Sequence, residues 1–134
     1  HTKGEEKMKS LICALSVLAV ITGFVAFSSV YITRSCDELE KLAYALPSIT
    51  KGEEALECFS RYYPLLDEEW QKRNGYIRAT VGHSDAEDIG STLEEVMLRF
   101  KSDDLSGYKT ARAKLISLIG EIRRAEELSW YAIE

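Results

Sequence analysis

His83 is the residue best suited by type to proton transfer, since an imidazole changes charge near neutral pH. Ser84 and Asp85 follow it directly, so the tripeptide has the composition of a hydrolytic triad. A working triad needs three side chains brought to one point in space, and adjacency along a chain does not supply that geometry. His83 instead lies between Gly82 and a helix start, where it is expected to cap or pack an interhelical turn. No catalytic residue is assigned, and an enzyme is not the expected class.

Metal chemistry fares no better. A closed zinc site takes four Cys or His ligands, whereas His83, Cys36 and Cys58 are the available set beyond the first apolar stretch. The acidic groups Asp85, Glu87, Asp88 and Asp103-Asp104 lack the glycine-containing spacing of a calcium loop. They fall at helix starts, where the helix dipole favours negative charge. No metal, cofactor or small-molecule substrate is therefore expected.

Cys36 and Cys58 lie equally far along the chain from Pro47. In an antiparallel hairpin centred on that proline they would face each other, and an oxidising exterior would allow a disulfide. The competing reading is two small, buried apolar thiols. Trp70 falls on an apolar stripe with the character of a core. For Trp130-Tyr131 the membrane, a partner and the core remain equal readings.

These residues are positioned by helices. From Leu11 to Ile32 there is no charged residue, and at 1.5 Å rise per residue such a run spans about 33 Å, matching a hydrocarbon core of about 30 Å. It is longer than the apolar region of a secretory signal and continues past Ala26-Phe27-Ser28, the best small-residue cleavage site. An uncleaved anchor is the expectation, with the membrane bound through Leu11 to Ile32. Residues 1–7 are read as an untranslated or leader segment ahead of Met8, 8–33 as the transmembrane anchor, and 34–134 as the domain outside the bilayer. Lys3, Lys7 and Lys9 before the span and Arg34, Lys41 and Lys51 after it leave orientation undecided by charge. The short leading tail resembles a signal-anchor, so an extracytoplasmic domain in a single-pass cell-membrane protein is expected.

The net charge of −5 has the wrong sign for nucleic acid, which requires clustered positive charge. Beyond the span, Leu39, Leu42, Ala43 and Leu46 recur at helical spacing up to Pro47. Thr50-Lys51-Gly52-Glu53 fits a capping box before a helix carrying Leu56, Phe59, Tyr63, Leu66, Trp70, Ile77 and Val81, with Pro64 set to kink it. Ser84-Asp85-Ala86-Glu87 fits a second box, opening a helix with Ala86, Ile89, Leu93, Val96, Met97 and Phe100 on one side. A last helix carries Tyr108, Ala111, Leu115, Leu118, Ile119, Ile122 and Ala125. The fold class expected is all-α: an N-terminal transmembrane helix followed by a small antiparallel bundle of three to four helices. Trp70, His83, Ile89 and Leu93 are its expected turn and core markers.

The segment His83-Ser84-Asp85-Ala86-Glu87-Asp88-Ile89, continuing to Leu93 and Val96, resembles a bacterial membrane-anchored family known as domain of unknown function 4363. Trp70 stands where that family's Trp falls, and Ser106 to Leu128 resembles its final helix. Ser84 and Gly90 replace acidic positions, and the ending Tyr131-Ala132-Ile133-Glu134 departs from an Asn-containing tail. The resemblance implies the architecture and no activity.

The functional expectation is an extracytoplasmic interaction or scaffold module that binds a protein partner in the cell envelope. The alternative is a structural subunit of a secretion, sporulation or lysis assembly, with an enzyme third.

Overall fold

The computed structural model describes the backbone of residues 2–133 and the side chains of residues 3–128. Four helices account for almost all of it: α1 (Thr2–Ala45), α2 (Glu53–Thr80), α3 (His83–Lys101) and α4 (Leu105–Ile133), with no strand among the described residues. The protein is an all-α helical bundle with one long apolar N-terminal helix. The chain divides into two units, residues 1–31 and 32–134.

In the first unit the apolar side chains are exposed around the whole helix. Leu11, Ile12, Leu15, Leu18, Val20, Ile21 and Phe24 all lie open, Val20 most of all at 71%. α1 is the one helix among the described residues that is long and apolar enough to cross a membrane.

The second unit holds the core. Ile32, Cys36, Leu39 and Ala43 repeat every three or four residues along α1 and bury one stripe, to which Leu46 adds. Facing them are Phe59, Tyr63, Leu66, Trp70 and Ile77 of α2, Ala86, Ile89, Leu93, Val96 and Phe100 of α3, and Tyr108, Ala111, Leu115, Ile119 and Ile122 of α4. The boundary falls at Ile32, which is buried in this core, whereas hydropathy alone had extended the apolar anchor through it. Leu56 and Ala125, both expected on core stripes, are exposed. Ala55 and Phe59 take the inward positions at the start of α2, which turns Leu56 outward at 60% exposure.

Aromatic rings fill one end of the bundle. Phe59 stacks on Phe100 with centroids 3.9 Å apart, and Tyr108 meets Phe100 edge-on at 5.5 Å. The Tyr63 hydroxyl donates to the Leu93 carbonyl at 2.9 Å, and that of Tyr108 donates to the Pro47 carbonyl at 2.6 Å. Both phenol hydroxyls therefore enter the core with partners, as burial requires.

The helix ends follow different rules from those expected. α1 stops at Ala45, before Leu46-Pro47, because the residue preceding proline is driven out of the helical region. Neither capping box forms. α2 starts at Glu53 behind Gly52, whose φ of 106° excludes most side chains, and α3 starts at His83 behind Gly82. Neither start carries a side-chain cap. Thr50 turns away to donate to Asp103 at 2.7 Å, and Lys51 pairs with the same carboxylate at 3.3 Å. The cap that does form is on α4: Asp104 Oδ1 accepts from the Gly107 amide at 3.0 Å.

Candidate functional site

α2 and α3 are joined by the tight turn at Val81-Gly82 and run antiparallel. Their register is set by Arg78 against His83 near the turn, Trp70 against Gly90, and Tyr63 against Leu93 farther along. The seam between them opens to solvent as a groove of about 530 Å³. Trp70, 2% exposed, lines it together with Asp67, Asn74, Glu87, Asp88 and Glu94. Its indole nitrogen lies 3.7 Å from where a Cβ on Gly90 would stand, so glycine at this mid-helix position leaves space beside the N–H.

His83 sits at the turn end of this seam. Arg78 Nη1 lies 3.3 Å from His83 Nδ1, and Glu87 Oε1 lies 2.7 Å from Nε2. Since an arginine can only donate, Nδ1 accepts and Nε2–H donates to Glu87, the neutral tautomer. Ser84 and Asp85 take no part in this chain of contacts, and the side chain of His83 is 63% exposed. His83 is thus the exposed first residue of α3, outside the core, while Trp70, Ile89 and Leu93 are fully within it. Among the described residues no group of three or more His, Cys, Asp or Glu converges as metal ligands do.

Of the two readings of the cysteines, the structure shows the unbridged one. Cys36 and Cys58 are both free thiols. The Cys58 Sγ donates to the Ala45 carbonyl at 3.2 Å, while Arg73 reaches Ser35, next to Cys36, at 2.7 Å. Cys58 therefore lies level with the end of α1, about 13 Å of helix rise from Cys36, whereas a bridge needs Cα atoms within about 7 Å. The hairpin is not centred on Pro47, because the whole stretch from Leu46 to Gly52 forms the connection. Burial pushes the Cys36 thiol up to about 11, against the opposing pull of Arg123.

No protein-family model, curated protein or solved structure matches this chain. Its chemistry is therefore read from its own surfaces.

Beyond the polar groove, the same α2–α3 seam continues into an apolar hollow of about 250 Å³ lined by Leu56, Phe59, Pro64, Met97 and Phe100. Between α1 and α4, Arg123 pairs with Asp37 and Glu40, and Arg112 donates to the Tyr44 carbonyl at 3.0 Å. These last contacts fix α4 against the end of α1 and are structural. Sequence reading had singled out Trp70 and His83 but passed over Asp67, Arg78 and Glu94, which are ordinary charges until the antiparallel register sets them along one groove. Trp130-Tyr131 lie outside the residues whose side chains are described.

Proposed function

We propose that this chain is a single-pass membrane-anchored helical module whose domain, beginning at Ile32, lies outside the cytoplasm and binds a protein partner in the cell envelope. The observation that carries the reading is the contrast along α1. Its residues from Leu11 to Phe24 expose large apolar side chains on every face, and its residues from Ile32 to Ala43 bury a single stripe. A helix apolar all round is stable in hydrocarbon and strongly unfavourable in water. At about 25 cal/mol per Å² of apolar surface, even a few hundred Å² represents many kcal/mol of driving force for insertion. The polar groove and apolar hollow along α2–α3 support the binding part of the proposal, since the domain offers two recesses on one seam. The plan of anchor, Trp-bearing helix, His-acidic segment and closing helix supports placing the chain with domain of unknown function 4363.

The test is fractionation and protease accessibility on intact cells producing the chain with a C-terminal tag. The chain is expected in the membrane fraction after alkaline carbonate washing, with the tag cleaved by external protease. Release by carbonate would overturn the anchor, and a protected tag would place the domain in the cytoplasm.

A further inference from the structure

The α2–α3 groove has a donor that nothing in the fold uses. Trp70 is 2% exposed, and its indole N–H makes no hydrogen bond within the described residues. It faces the groove beside Gly90, where no side chain fills the space. The ring is buried but the N–H opens on the groove without a protein partner, so this position offers a donor to an incoming acceptor. The surrounding charge is of one sign: Asp67, Glu87, Asp88 and Glu94 against Arg78. Arg78 is already turned toward His83 and Asn74, and Glu87 toward His83. Asp67, Asp88 and Glu94 have no ion-pair partner among the described residues. One helical turn from Trp70 and Gly90 respectively, Asp67 and Glu94 stand on opposite banks. Both raise the Tyr63 hydroxyl, after the larger effect of burial, which marks how close they come to the groove floor.

An occupant must therefore offer an acceptor to the indole and a cation to the two carboxylates. An anion fails on charge, and a polyamine fails because it has no acceptor. A peptide with a Lys or Arg side chain has both, its main-chain carbonyl being the acceptor. We propose that the α2–α3 groove binds a basic peptide segment of the partner protein, with Trp70 donating to a peptide carbonyl and Asp67 and Glu94 holding a Lys or Arg side chain. This names the chemistry of the partner and rests on the interaction-module reading. It does not depend on membrane location.

The test uses the full chain in detergent micelles, carrying Trp130→Phe so that Trp70 is the sole tryptophan. The probe is a capped peptide of alternating lysine and glycine, with its glutamate–glycine counterpart as control. The lysine peptide is expected to shift Trp70 emission saturably, less so at high salt, and the glutamate peptide to leave it unchanged. The double variant Asp67→Asn, Glu94→Gln should weaken binding about tenfold, as loss of charge-assisted hydrogen bonds does. Gly90→Ala sets a methyl group in ordinary contact with the indole nitrogen. It should weaken binding about fivefold, the scale of one hydrogen bond, without lowering the melting temperature, since alanine is the better helix former. Unchanged Trp70 emission, equal binding of the glutamate peptide, or full binding by both variants would overturn the proposal. Micelles separate the two readings, because failure of the fractionation experiment leaves this result standing, and the reverse also holds.

Discussion

Tyr63 and Tyr108 are the clearest single residues in which sequence, packing and pH response meet. Each ring joins the aromatic cluster, and each hydroxyl reaches a backbone carbonyl. Burial, chiefly, pushes both phenols from their usual 10 up to about 12. A folded-state value above the unfolded one means stability that is complete below about pH 10 and lost as pH rises through about 12. Denaturant titrations should therefore give a level unfolding free energy to about pH 10 and a fall above it, reduced in a Tyr63→Phe, Tyr108→Phe double variant. An identical fall in that variant would assign the loss to other groups. At neutral pH, Tyr63→Phe alone should cost about 1 kcal/mol, one net hydrogen bond. The thiols make a second prediction at this scale. Cys36 is buried and Cys58 half-buried, so a maleimide should label Cys58 in the folded protein and Cys36 at least about tenfold more slowly, because the reactive thiolate needs access. Mass measured without reductant should show no bridge between them, and a two-dalton deficit would contradict the register described above.

At the scale of elements, α2 is the informative case. It continues unbroken from Glu53 to Thr80 with Pro64 inside it. A proline there removes the amide that would bond to the Ser60 carbonyl and crowds that same carbonyl. Pro64 is itself exposed, so Pro64→Ala should stabilise the domain by about 1–3 kcal/mol, measured by chemical denaturation, by restoring the ladder. Destabilisation would show that the ring is needed where it lines the apolar hollow. The connections show how far local signals reach. The helices and their stripes were legible because a 3.6-residue period is a property of the element itself. The capping boxes were misread because Thr50 is drawn to Asp103, 53 residues away along the chain, and no local pattern contains that partner. Asp103, at φ 56°, ties two loops together at one end of the bundle through Thr50 and Lys51. The Thr50 hydrogen bond, chiefly, holds its carboxyl below the usual carboxylate range.

At the scale of the molecule, the core needs the second part of α1. A chain beginning at Ile32 keeps every buried residue of the second unit and should fold, remain helical by circular dichroism and stay in solution without detergent. A chain beginning at Pro47 also loses Ile32, Cys36, Leu39, Ala43 and Leu46 from the core. At about 2–5 kcal/mol for each large side chain removed, against a total stability of about 5–15 kcal/mol, that fragment should not fold cooperatively. Cooperative melting of the shorter fragment would show that α2, α3 and α4 form a core without α1. Sequence by itself determined the all-α class, the apolar run, the existence of each helix and most of its inward face, because these follow from local composition and period. Tertiary structure decided where the apolar run becomes core at Ile32, that Cys36 and Cys58 lie at different levels, and that Trp70 meets Gly90 across a groove between carboxylates. Those facts depend on the register and crossing of helices far apart in sequence, which are set by how side chains pack together, and periodicity along a single helix carries no record of them.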